Sequence, residues 1–230
     1  HVTDDINPKV VDTINASNIH IVEPDLDILV KSAVNEGYLT ATTFPKPADV
    51  FFIAVPTPFL ADAINGSPPT PDLSFVESAT RSVAKVLKKG NLVILESTCP
   101  VGTTEKMAEW LAEERADLTF PHTNGEDSDI RVAYCPERVL PGQVVKELVS
   151  NDRVVGGMTD NCAKAAIAVY KIFVEGAFGV TNARTAEMSK LTENASRDVG
   201  IAFANELSMI CDKANINVWE LIDLANKLPE

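Results

Sequence analysis

The sequence predicts an α/β fold, a parallel sheet covered by helices on both faces, followed by a region built on one long helix. Three observations predict it. Short apolar runs alternate with amphipathic stretches of helical period through most of the chain. The alternation stops near Thr181. Beyond it, Ala183 to Ala214 contains no proline and one glycine, Gly200. Strands that alternate with helices pair in parallel, because each helix returns the chain to the same end of the sheet.

The elements follow in order. Val50 to Val55 (VFFIAV) has the apolar continuity of a buried strand. Leu73 to Leu87 places Val76, Ala79, Val83, Ala84 and Leu87 near helical spacing. Leu92 to Leu95 is a strand, Thr103 to Glu114 a helix, and Arg131 to Tyr134 and Arg153 to Val155 are short strands. Asn161 to Phe173 is a helix and Phe178 to Thr181 a strand. The Ala183 to Ala214 helix is about 45 Å long at 1.5 Å per residue. Ala186, Met188, Leu191, Ala195, Val199, Ala202, Phe203, Leu207 and Ile210 put apolar groups on more than one of its faces, so it needs partners on several sides. Asn217 to Lys227 is a further short helix. Pro56 to Pro71, with five prolines and Asn65-Gly66, is a surface loop. The domain reading is 1–181 for the α/β part and 182–230 for the start of a helical part.

Composition narrows the function. The 230 residues are 45% hydrophobic, 23% charged and carry a formal charge of −13, which suits a globular domain and not a disordered one. No Lys/Arg cluster offers a basic face, so nucleic acid is not an expected partner. No apolar run approaches the ~20 residues of a membrane span, and the opening HVTDDIN has no signal-peptide character. Cys99, Cys135, Cys162 and Cys211 form no CxxC pair, and His1, His20 and His122 no spaced cluster, so no metal site is expected. Reduced thiols in a cytoplasmic protein are the plain expectation. Trp110 and Trp219 read as packing residues.

Six segments in series carry a more specific signal. They are Asp5-Ile6-Asn7, His20 to Leu26 (HIVEPDL), Val55-Pro56-Thr57-Pro58, Glu96 to Thr104 (ESTCPVGTT), Cys135 to Gly142 (CPERVLPG) and Ala186 to Asn194 (AEMSKLTEN). In this order they resemble the nucleotide-sugar 6-dehydrogenases of the UDP-glucose/GDP-mannose dehydrogenase family. The resemblance covers nearly the whole chain. The Arg-Val-x-Pro-Gly form at Arg138 to Gly142 is similar to the branch that acts on N-acetyl-hexosamines.

The resemblance implies a Rossmann-like NAD-binding domain, then a central helix that forms a homodimer contact through Ala183 to Ala214. It implies NAD-dependent oxidation of the C6 hydroxyl of UDP-N-acetyl-mannosamine to the uronate in two hydride transfers, through a cysteine thiohemiacetal and thioester. UDP-glucose and UDP-N-acetyl-glucosamine are the alternative substrates, and a non-catalytic dimerising chain is the alternative of another class. Asp5 would accept the adenosine ribose hydroxyls, and an Asp there favours NAD over NADP. Val55, Pro56, Thr57, Ser97 and Thr98 would line the cofactor. Lys190 and Asn194, four apart on one helical face, would hold the C6 oxygen and a water. Glu137 would act in thioester hydrolysis, with Arg138 and Val139 beside the sugar, and Thr98 would orient a water. Each has a plainer alternative: a solvated helix face for Lys190 and Asn194, a turn carboxylate for Glu137, a surface position for Arg138, and a cap on the helix near Thr103 for Thr98.

Two family motifs have no counterpart among these residues. They are the Gly-x-Gly-x-x-Gly turn, which receives the pyrophosphate at a helix N-terminus, and the Gly-Gly-x-Cys that carries the nucleophile. The sheet is therefore expected to be incomplete at its N-terminal side. NAD binding by these 230 residues alone is expected to be weak, and catalysis absent.

Overall fold

The computed structural model describes residues 1–19, 21, 23–60 and 68–227. His20 and Val22 of the HIVEPDL segment, and residues 61–67 of the proline-rich loop with Asn65-Gly66, lie outside the described residues. The chain divides into two compact units, His1–Met188 and Ser189–Glu230.

The first unit holds two sheets. In the smaller, β1 (Val2–Asp4) pairs in parallel with β2 (Thr40–Thr42), connected through α1 (Pro8–Asn15) and α2 (Leu26–Asn35). Helix α1 starts where Pro8 fixes the first turn and the Asn7 side chain accepts the Lys9 N–H at 3.1 Å. The larger sheet has the order β3 (Val50–Ile53), β4 (Leu92–Leu95), β5 (Arg131–Tyr134), β6 (Arg153–Gly157) and β7 (Phe178–Asn182). Helix α3 (Ser74–Ala84) joins β3 to β4. Helix α4 (Thr103–Glu114) and the single turn α5 (Pro121–Asn124) join β4 to β5. The short α6 (Val144–Ser150) precedes β6, and α7 (Asp160–Tyr170) joins β6 to β7.

Both faces of this sheet are covered. Phe51, Ile53, Val93, Leu95, Val132 and Tyr134 pack with Val76, Val83, Met107 and Leu111 of α3 and α4. On the other face Leu92, Ile94, Ala133, Cys135 and Val155 pack with Ala163, Ala166 and Tyr170 of α7. All four residues of β4 are buried, which is why its sequence shows a continuous apolar run and no alternation. Gly157 permits the close approach of α7: a Cβ there would lie 2.5 Å from the Ala163 nitrogen.

The Rossmann-like reading holds, with three departures. First, β6 runs antiparallel to β5, although the periodicity predicts parallel strands throughout. A parallel return needs a crossover that spans the sheet. Residues 135–152 hold only a loop and α6, whose seven residues extend about 10 Å, so the chain re-enters from the end it left. Second, the predicted helices Leu73 to Leu87 and Asn161 to Phe173 end early. Lys85, Val86 and Leu87, and later Ile172 and Phe173, bond to carbonyls three residues back and tighten into 3₁₀-like turns. Third, β1–β2 and β3–β7 are separate sheets, and among the described residues β3 pairs with no strand but β4. Strand β3 is therefore an edge strand of the larger sheet.

Helix α8 (Ala183–Ala214) has the predicted bounds. In the second unit Val199, Ile201, Phe203, Met209 and Ile210 of α8 are exposed, and Cys211 is buried. Helix α9 (Val218–Ala225) starts at Asn217, whose side chain accepts the Trp219 N–H at 3.0 Å. Trp110 is partly buried against the core as expected, but Trp219, also expected to pack, is 74% exposed.

Candidate active site

Parallel strands place their chemistry at their carboxyl ends, where the loops leave the sheet. The turns after β3 and β4 meet there. The Ser97 hydroxyl accepts the Val55 N–H and donates to the Val55 carbonyl, both at 2.8 Å. The Thr57 hydroxyl donates to the Thr98 carbonyl at 2.5 Å. Val55, Pro56, Thr57, Ser97 and Thr98 are thus brought together as one ledge. Asp5 stands at the carboxyl end of β1 in the other sheet, where its N–H bonds the Thr42 carbonyl at 3.0 Å and its carboxylate accepts the Asn7 N–H at 2.7 Å. A carboxylate at that strand end suits ribose hydroxyls.

The loop after β5 is pinned from several sides. Glu137 accepts the N–H of Val139, so its carboxylate shapes the turn it stands in. Arg138 donates to the Asp152 carbonyl at 3.1 Å, and the Asn151 amide donates to the Arg138 carbonyl at 3.3 Å. Leu140 donates to Glu147 at 2.8 Å. The Gly142 N–H meets the carboxylate of Glu23 at 3.0 Å. Two segments 119 residues apart, HIVEPDL and CPERVLPG, therefore touch.

Thr98 does not cap α4. The cap position is Gly102, with φ of 95°, a conformation that favours glycine, and no side chain of the turn bonds there. The cap comes from Glu187 on the first turns of α8. Its fully buried carboxylate accepts the Gly102 N–H at 2.6 Å, the Thr104 N–H at 2.8 Å and the Thr104 hydroxyl at 2.7 Å. The positive end of α4 is thereby filled by the chain itself. The motif reading passed over Glu187, yet a glutamate beside Ala183 and Ala186 on the buried stripe of α8 was a legible sign.

Lys190 and Asn194 lie on α8 in the second unit, both half-buried and one turn apart on one face. Asn194 accepts from Arg197 at 3.0 Å. All four cysteines are buried and free. Burial, with the Glu187 charge adding to it, pushes the Cys99 thiol up to about 12. Burial likewise pushes Cys135 to about 11. Neither thiol ionises near neutrality, which is what a nucleophile requires. Among the described residues no group of three or more His, Cys, Asp or Glu side chains could hold a metal ion. No helix among them is long and apolar enough to cross a membrane.

The chain matches known proteins along its whole length. The NAD binding domain of the UDP-glucose/GDP-mannose dehydrogenase family matches residues 2–174, and the central domain of that family matches residues 184–230. The UDP-N-acetyl-D-mannosamine dehydrogenase of Campylobacter jejuni is 66% identical over 225 residues, covering 98% of this chain and 54% of the relative. An NDP-N-acetyl-D-galactosaminuronic acid dehydrogenase of Ralstonia solanacearum is 64% identical over the same length. The solved UDP-D-ManNAc dehydrogenase of Pyrococcus horikoshii superimposes with a TM-score of 0.89 at 43% identity, over 100% of this chain and 52% of that one. The chain spans about half the length of the relatives it matches.

Proposed function

Since this chain belongs to the UDP-glucose/GDP-mannose dehydrogenase family, we propose that it takes part in NAD-dependent oxidation of the C6 hydroxyl of UDP-N-acetyl-mannosamine to UDP-N-acetyl-mannosaminuronate. The observation that carries the reading is the convergence of two family motifs at one sheet end. The Val55-Pro56-Thr57 turn and the Ser97-Thr98 turn bond each other there, next to the strand that ends in the Glu137 loop. NAD, when bound, accepts the hydride from the sugar carbon. Asp5 holds the adenosine ribose, and Val55, Pro56, Thr57, Ser97 and Thr98 form the ledge under the nicotinamide side. Glu137, in its fixed turn, acts on the water that releases the oxidised sugar, with Arg138 and Val139 beside the sugar. Lys190 and Asn194 hold the C6 oxygen and a water. The α/β domain ends near 181 and the helical domain begins at 182. Buried reduced thiols support a cytoplasmic setting.

The substrate is the finer part of the proposal, since relatives of 66% and 64% identity carry different sugar names. The test extends the chain to the length of those relatives and follows NADH formation with each UDP-sugar. UDP-N-acetyl-mannosamine is expected to give the highest kcat/KM. A higher value with UDP-glucose, UDP-N-acetyl-glucosamine or UDP-N-acetyl-galactosamine overturns the substrate reading, and absence of NADH with all four overturns the reaction. For the 230 residues alone, titration calorimetry should show weak binding of NAD and weaker binding of NADP, with the preference lost in Asp5→Ala. Equal affinities in the unsubstituted chain would remove Asp5 from cofactor choice.

We propose further that α8 packs against α8 of a second copy. Val199, Phe203 and Ile210, exposed by 68, 68 and 58%, recur at helical spacing and form an apolar stripe that water does not favour. Light scattering should give a dimer at micromolar concentration, and Phe203→Glu should convert it to a monomer. A monomeric unsubstituted chain would count against the interface.

A further inference from the structure

Two loops of the first unit meet through a hydrogen bond that the proposed reaction leaves without a task. Glu23 opens the turn that leads into α2. Pro24 follows it, the Leu26 N–H reaches back to the Glu23 carbonyl at 3.4 Å, and Asp25 takes φ of 64° and ψ of −8°. That is the pattern of a type II turn, with Asp where glycine or asparagine is usual. Aspartate tolerates left-handed angles better than most residues. The Glu23 side chain thus leaves from the first residue of a defined turn. Opposite it stands the end of the CPERVLPG loop. Gly142 has φ of 90°, and a Cβ built on it would meet nothing within 4 Å. Space does not require glycine there; the backbone conformation does. In that conformation the Gly142 N–H faces both carboxylate oxygens of Glu23, at 3.1 and 3.0 Å. The two ends of the loop are held by different parts of the chain. Arg138 and Leu140 are tied to Glu147, Asn151 and Asp152. Gly142 is tied to Glu23, on the connection between β1 and β2. The two sheets share no strand pairing among the described residues, so this bond joins the part that carries Asp5 to the part that carries Glu137.

We propose that Glu23 is a positioning residue: by holding the Gly142 N–H it keeps the Val139 to Gly142 end of the loop in the conformation that receives the UDP-sugar, a role that rests on the placement of Arg138 and Val139 beside the sugar. A loop held before its ligand arrives loses less conformational freedom on binding, so such a tether is felt as affinity. The carboxylate strengthens the bond, because an ionised acceptor draws a backbone N–H more firmly than a neutral one. The contact lies at the surface, where Gly142 is exposed, so it contributes little to folding. Its removal should weaken sugar binding while stability holds. The Glu137 carboxylate has its own partner inside the turn, the Val139 N–H, so kcat should change much less than KM for the sugar.

The test has two readouts. In the 230-residue chain, amide hydrogen exchange reports the contact itself. The Gly142 N–H should exchange more slowly than a free amide, reach the free rate in Glu23→Ala, and remain slowed in Glu23→Gln, whose amide oxygen still accepts. In a chain extended to the length of the relatives, titration calorimetry with UDP-N-acetyl-mannosamine reports its use. Glu23→Ala should weaken binding about 10-fold, the scale of one hydrogen bond to a charged group, and Glu23→Gln should recover most of that loss. Gly142→Ala, which opposes the left-handed angle, should weaken binding similarly, and adding Glu23→Ala to it should cost nothing more. Melting temperatures of the Glu23 variants should stay within about 2 °C of the unsubstituted chain. Free exchange at Gly142 in the unsubstituted chain overturns the proposal. So does a loss of affinity that comes with a lowered melting temperature and that Glu23→Gln does not recover. Sugar affinity unchanged in Glu23→Ala overturns this role of Glu23 alone. An extended chain that binds no UDP-sugar overturns the sugar reading of the loop, and the role of Glu23 with it.

Discussion

Lys190→Ala is expected to lower turnover by about 100-fold or more in a chain extended to the length of the relatives, the usual cost of removing a donor from a developing oxyanion. The expected loss is large because the proposed contact forms with the C6 oxygen as charge builds on it. A cation that the ground state does not need lowers kcat when removed and leaves KM nearly unchanged. Lys190 is half-buried on α8, with Asn194 one turn beyond it on the same face, so the pair presents a cation and an amide together. Steady-state kinetics of Lys190→Ala and Asn194→Ala on UDP-N-acetyl-mannosamine check it. A normal kcat for Lys190→Ala would remove that residue from the mechanism, and a raised KM with normal kcat would make it a binding contact only.

Glu187→Ala is expected to destabilise the first unit by about 3 kcal/mol or more, since it strands several buried donors at once at ~1–3 kcal/mol each. The carboxylate is fully buried, and its three partners, the Gly102 N–H, the Thr104 N–H and the Thr104 hydroxyl, all belong to the start of α4. Removal leaves those groups in a dry place and withdraws the negative charge from the positive end of a 12-residue helix. For a unit of this size that loss lowers the melting temperature by roughly 6–12 °C. Glu187→Gln keeps one acceptor oxygen but turns an NH₂ toward a donor, so it should recover only part of the loss. Differential scanning calorimetry of the two variants checks the order. A melting temperature for Glu187→Ala within about 2 °C of the unsubstituted chain would mean that water enters and satisfies the α4 terminus.

Local pattern carried much of this protein. The bounds of α4, α8, β4 and β5 follow from local pattern: helical spacing in α4, a long stretch without proline in α8, and short apolar runs in β4 and β5. The family was legible from six short motifs in series, and the ledge of Val55, Thr57, Ser97 and Thr98 lies where a strand end should place it. The tertiary structure alone decided what joins residues far apart in the chain. Glu187 meets Thr104 across 83 positions, and Tyr170 meets Glu96 across 74. Nothing in the spacing of either segment encodes its partner. The direction of β6 was decided by whether residues 135–152 cross the sheet, a matter of how far a loop and one short helix can reach. Periodicity reports which side of an element is dry. It is silent on what stands opposite, since the same apolar stripe can face a helix, a sheet or a second chain, and only the packed structure gives each buried polar atom a particular partner.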